Sequence, residues 1–173
     1  MLRSSIFCLP VILLFSSCIT IGFEQPQPTG GTNLKEFPEA IIGVYDDEPL
    51  GQEKEMEIRR YSVILEDEEI MGSGELHLSD TLLLRKYKGY YIANWWDSNN
   101  KCWVAHPFKH KGNQLYLYNL DLGKDEAAVQ LSAFTPIVRQ DENVIVVDPT
   151  KKEFKRILKD SSLWETDTLY RKN

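Results

Sequence analysis

Residues 90–108, YYIANWW-DSNNK-CWVAHPF, decide how this chain folds. Two runs of aromatic and β-branched residues flank five polar turn-formers, the pattern of a β-hairpin. Along the first run, strand alternation puts Tyr91, Ala93 and Trp95 on one face and Tyr90, Ile92, Asn94 and Trp96 on the other. Both faces therefore carry large aromatics. One set can fill a core while the other lines a groove, and Tyr91, Trp95, Trp96 and Trp103 are the candidate ligand-binding residues. The plainer alternative is that all of them are core.

Working outward, short apolar runs at 41–45, 58–65, 75–78, 81–87, 115–122, 129–139 and 144–147 repeat the strand pattern between turn residues. Lys88-Gly89 reads as a tight turn or a bulge. Pro136 confines its strand to an edge or a bulge. The spacing predicts a mainly β domain over 38–173, an antiparallel meander closing into a barrel-like shape that removes its free edges. One helix is expected at 149–160, with Asp148 as N-cap, Pro149 in the first turn and Phe154, Ile157 and Leu158 as its apolar stripe. A final strand follows at 166–171. The helix also carries Lys151, Lys152, Lys155, Arg156 and Lys159, a basic face in an acidic domain. It is a candidate surface for anionic lipid headgroups or a protein partner, or else a solvated face.

The N-terminus carries a location signal. Arg3, the apolar run 6–15 and Ser16-Ser17 before Cys18 have the three parts of an export signal. The run is about ten residues, half of what a bilayer-spanning helix needs. The arrangement resembles the lipobox of bacterial lipoproteins, with Phe15 where Leu is usual. That resemblance implies that residues 1–17 are removed and that Cys18 is thioether-linked to diacylglycerol and then acylated. Ile19, which is not Asp, resembles the sorting signal that permits transfer to the outer membrane. Residues 18–37 include PQPTGGT and no apolar period, and read as a flexible tether between lipid and domain.

The formal charge is −6, and −7 once Arg3 is removed with residues 1–17. Such a balance argues against a nucleic-acid partner. Of the cysteines Cys8, Cys18 and Cys102, only Cys102 remains unmodified in the processed domain, where it reads as a small buried hydrophobe beside Trp103. His106 and His110 are four apart, but on a strand that is roughly 13 Å, too far for one metal. They read as surface histidines near a hairpin end. The acidic groups at 46–48 and 66–69 lack calcium-loop spacing and read as solvated turns. Gly72-Ser73-Gly74 lacks the context of a nucleophile elbow. No Gly-rich phosphate loop is present, and no cofactor or metal is expected. No set of residues assembles into a catalytic constellation.

Two resemblances bear on the whole domain. Gly43-Val44-Tyr45, within FPEAIIGVY, resembles the Gly-x-aromatic motif that opens lipocalin-like barrels, where a late basic residue stacks on the first-strand aromatic. Arg171 against Tyr45 is the implied pair. The segments FPEAIIGVY, LSDTLLLRKYKGYY and DPTKKEFKRIL resemble a family of small bacterial lipoproteins without an assigned activity. The expectation is a non-catalytic, lipid-anchored envelope protein acting as a binding module of unknown ligand, with a small apolar molecule or an envelope protein as the candidate partners. The alternative is a protein-interaction module, an accessory subunit of an envelope complex or an inhibitor of an envelope enzyme.

Overall fold

The hairpin read from residues 90–108 lies at the middle of the sheet. The computed structural model describes residues 19–47, 55–65, 74–120 and 124–172. The signal segment 1–17, the lipidation candidate Cys18, the acidic turn 66–69 and Gly72-Ser73 lie outside the described residues. In chain order the strands are β1 (Thr20–Phe23), β2 (Asn33–Leu34), β3 (Gly43–Asp46), β4 (Glu55–Ile58), β5 (Ser62–Leu65), β6 (Gly74–His77), β7 (Leu82–Tyr87), β8 (Tyr90–Asp97), β9 (Cys102–Lys111), β10 (Gln114–Leu120), β11 (Ile137–Gln140), β12 (Val144–Val147) and β13 (Trp164–Arg171). Two α-helices, α1 (Lys124–Ser132) and α2 (Lys151–Ile157), and short 3-10 helices at Glu39–Ile41 and Ser161–Leu163 complete the regular structure of the described residues.

Local chemistry sets the turns. Asp97 Oδ1 accepts from the Asn99 and Asn100 backbone N–H groups at 2.9 and 3.1 Å, and Oδ2 accepts from Asn100 Nδ2 at 2.8 Å. This Asx turn carries the chain from β8 into β9, with Asp97 opposite Cys102. Lys88 and Gly89, at φ 52° and 84°, form a tight two-residue turn, with Tyr87 opposite Tyr90.

One continuous path of neighbours runs β6-β5-β4-β3-β13-β10-β9-β8-β7, with β2 beyond β7. It curves into a half-barrel, and among the described residues no ladder joins β6 to β7. The second edge of β9 is shared, because β10 covers residues 108–111 and β1 meets it at Trp103. β1 leads to β12 and β11 as a wing. One core lies on the concave face of the half-barrel, including Ile41, Tyr45, Leu84, Phe108, Leu115 and Leu169. A second lies on the other face of the sheet, where Phe23, Ile92, Ile145, Leu131, Phe154 and Ile157 join the wing and both helices.

The contact that joins β13 to β3 holds the pair read from the sequence. β13 pairs with β3, Arg171 opposite Tyr45, and the guanidinium lies 5.5 Å from the Tyr45 ring. Arg171 Nη2 also donates to the Ala40 and Ile42 carbonyls at 2.9 and 2.5 Å. Gly43 is required beside it, since a Cβ there would stand 2.9 Å from Arg171 Nε at φ +156°.

Three expectations are corrected. Residues 19–37 are no tether. β1 runs parallel to β12, Thr20 opposite Val144 and Phe23 opposite Val147, and Phe23 is fully buried with its ring edge-on to Phe154. The Pro-containing stretch after it belongs to no strand, so buried side chains satisfy its backbone groups. Asn94 Oδ1 accepts from Gln27 N at 2.6 Å and Nδ2 donates to Gln27 O at 2.9 Å. Arg85 Nη1 donates to the Pro26 carbonyl and, at 2.8 Å, to that of Pro28.

The strand expected at 129–139 is instead the end of α1 followed by β11. Ala127 and Leu131, four residues apart, are buried, while Val129 is 72% exposed, a helical rather than an alternating pattern. β11 begins just after Pro136 and is an edge strand, as that proline requires. The N-cap of α2 is Thr150 rather than Asp148. Its hydroxyl accepts from Glu153 N at 3.3 Å while Glu153 Oε2 accepts from Thr150 N at 2.8 Å, a reciprocal capping box.

Candidate binding cavity

Alternation along β8 and β9 has a direct chemical result. Ala93 pairs with His106, Tyr91 with Phe108 and Trp95 with Val104, so these side chains share the concave face of the half-barrel. β10 adds Leu117 and Asn119, and β4, β5 and β6 supply the opposite wall through Met56, Val63 and Leu76. They enclose a cavity of about 300 Å³, lined mainly by apolar side chains. That volume is at the lower end of small-molecule sites, which run to roughly 1,000 Å³.

The four aromatic candidates separate. Trp95 lines the cavity. Tyr91 faces the same core but stacks on Phe108, ring centres 5.4 Å apart, and stands outside the lining. Trp96 and Trp103 oppose each other on β8 and β9 as an edge-to-face pair at 5.5 Å, with Trp103 packed on the helix-side core. They do not share a site with Trp95. The basic residues of α2 are elsewhere on the surface. Lys151, Lys152, Arg156 and Lys159 are exposed and Lys155 is half-buried, with Lys151 5.5 Å over the Tyr87 ring and Arg156 5.2 Å over Phe134.

One polar chain edges the cavity. Asn119 Nδ2 donates to Asp167 Oδ2 at 3.0 Å, and Asn119 Oδ1 lies 3.1 Å from His106 Nδ1. All three residues line the cavity. Burial pushes the His106 pKa below the usual imidazole range, opposed by the Asn119 hydrogen bond, so the ring is neutral at physiological pH. His106 is therefore a half-buried residue of the cavity wall and not the surface histidine its sequence context suggested. His110 is not a plain surface histidine either: its Nε2 is buried, and burial with the nearby Arg171 charge lowers its pKa. His77 is exposed beside Glu75, 3.7 Å away.

His106, Asn119 and Asp167 were not legible as a group. The sequence signal that reaches His106 is hairpin parity: a loop of 98–101 places it opposite Ala93, on the face of Trp95. Asn119 and Asp167 need the β10–β13 register, which no local pattern encodes. Cys102 is fully buried against Val144 and Val146, as read from its sequence context. Burial, then the Asp97 charge, pushes its thiol up to about 11, which leaves it an unreactive apolar side chain.

Comparison with known proteins finds no similar family model, curated protein or solved structure.

Proposed function

We propose that this chain is a non-catalytic envelope lipoprotein that binds a small apolar molecule in the half-barrel cavity. The observation that carries the reading is the cavity itself, about 300 Å³ with apolar walls and the Trp95 ring among them. A fully packed core leaves few voids larger than a water molecule, so a lined space of this size is a binding feature rather than a packing defect. The lipid anchor is Cys18, and the outer membrane is its destination on the strength of Ile19.

The structure bears on how such an anchor would hold the domain. Ile19 packs against the helix-side core and Thr20 begins β1, with its N–H donating to Asn143 O at 2.9 Å. A lipid on Cys18 is then attached one residue from packed structure, with no spacer to hold the domain away from the bilayer.

Uptake of an environment-sensitive apolar dye, followed by competition with alkanes, tests the cavity. Dye fluorescence rises on binding and falls as the competitor displaces it. Ala93→Phe, which fills space beside Trp95, lowers dye affinity at least ~10-fold while Tm shows the fold retained. Equal dye binding by this variant, or no uptake by the parent protein, rules the reading out.

A further inference from the structure

Two buried nitrogens in the cavity wall have no hydrogen-bond partner among the described residues: His106 Nε2 and Trp95 Nε1. Their polarity can be assigned. The Asp167 carboxylate only accepts, so the Asn119 amide turns its NH₂ toward it and its oxygen toward His106. That oxygen also only accepts, so His106 Nδ1 carries the proton. In a neutral ring Nε2 is then a bare acceptor, and the nearby indole Nε1–H is a donor.

His106 pairs with Ala93 and Trp95 with Val104, so the two rings are diagonal neighbours on one face. Such neighbours are about 7–8 Å apart at the backbone, a spacing that one ligand oxygen can bridge once both rings face the cavity. Among the described residues the lining holds no Lys or Arg, and its charged members are Asp47, Glu55 and Asp167.

We propose that the occupant of the cavity is a neutral apolar molecule bearing a hydroxyl, which donates to His106 Nε2 and accepts from Trp95 Nε1–H. This rests on the cavity-binding reading above and names the ligand class. A hydroxyl is donor and acceptor at once, which is what the two orphaned atoms require. A carboxylate can accept from Trp95 but sets its charge against the His106 lone pair, with no cation in the lining to offset it. An ammonium can donate to His106 but cannot accept from Trp95. An alkane leaves both atoms unpaired. Neither nitrogen is open to solvent, so contact requires a small turn of the two rings toward the cavity, and that movement is part of the proposal.

The test compares decan-1-ol, decane and decanoate at pH 8 by displacement of the bound dye. Decan-1-ol binds ~10-fold tighter than decane, as one added hydrogen-bonded group supplies, and decanoate binds weakest. The Trp95 indole N–H resonance moves downfield with decan-1-ol and stays in place with decane. His106→Phe removes the preference for alcohol over alkane, read as the ratio of the two affinities in the same variant so that a change in cavity shape cancels. Trp95→Phe, which deletes the donor together with one ring of the indole, gives a second reading of the alcohol-to-alkane ratio should His106→Phe not fold. Decan-1-ol binding no better than decane, or decanoate binding best, overturns the hydroxyl proposal and leaves the cavity reading standing. No displacement by any of the three overturns both.

Discussion

Gly22 and Cys102 meet where β1 lies beside β9. A Cβ on Gly22 would fall 2.3 Å from Cys102 Sγ and 2.8 Å from its Cβ. The clash is not relieved by moving the strand, because β1 is held by β12 on one side and β9 on the other. Gly22→Ala is therefore expected to cost ~1–3 kcal/mol, the range of overpacked cores. Cys102→Ala in the same chain removes the sulfur and recovers part of that loss. Urea denaturation of the two single variants and the double variant measures it, and a strictly additive cycle contradicts the contact. At this scale some features were legible and others hidden. Gly43, Tyr45 and Arg171 were readable as a set because the motif is local and its partner is the basic residue that ends the last strand. Gly22 was not, since the need for glycine comes from a side chain 80 positions away in the chain.

At the scale of elements, the misread segment is the most instructive. Four residues, Thr20–Phe23, are too few to show a period, and the Pro- and Gly-containing stretch after them looks like a linker by composition. Its order comes from partners remote in sequence: β12 alongside, Asn94 and Arg85 beneath the Pro-rich backbone, and Thr29 donating to Pro149 O at 3.0 Å. A tether can be removed without thermodynamic cost, whereas a core strand cannot. Phe23→Ala is expected to cost ~3–5 kcal/mol, the range for a buried aromatic. A chain beginning at Pro38 is expected to lose its cooperative thermal transition. Retention of the full Tm by both would restore the tether. The strands β7 to β10 were legible because they are bounded by their own turn chemistry, Asp97 and Lys88-Gly89 being examples, whereas the run 58–65, expected as one strand, is the end of β4, a turn and β5. α1 was misread because Val129 to Phe134 contains enough apolar residues to suggest a strand, while the buried pair Ala127 and Leu131 follows helical spacing.

For the whole molecule, what the sequence could not encode locally was the register that folds a sheet onto itself. β13 inserts between β10 and β3, and this brings Asp167 to Asn119 and so to His106. The same burial makes stability depend on pH. His106 is held neutral chiefly by burial, with Asn119 opposing and Asp167 reached only through that amide. His110 is lowered by burial and by the Arg171 charge, with a backbone hydrogen bond to Gly112 opposing. In the unfolded chain both imidazoles titrate near ~6.5, so below that pH the unfolded state binds more protons than the folded one. Stability is then constant above ~6.5 and falls as pH drops, at up to ~1.4 kcal/mol per pH unit for each histidine. The carboxylates with lowered values, Glu57, Glu75, Glu153 and Asp160, lose their contribution only at more acid pH, below the ordinary carboxylate range of ~4 to 4.5. The window between ~5 and 6.5 therefore isolates the histidines. Urea midpoints measured across it should decline for the parent protein, decline less for His106→Phe, and stay level for the chain that also carries His110→Gln. A flat parent profile, or an undiminished slope in His106→Phe, means that His106 is not held neutral inside the half-barrel.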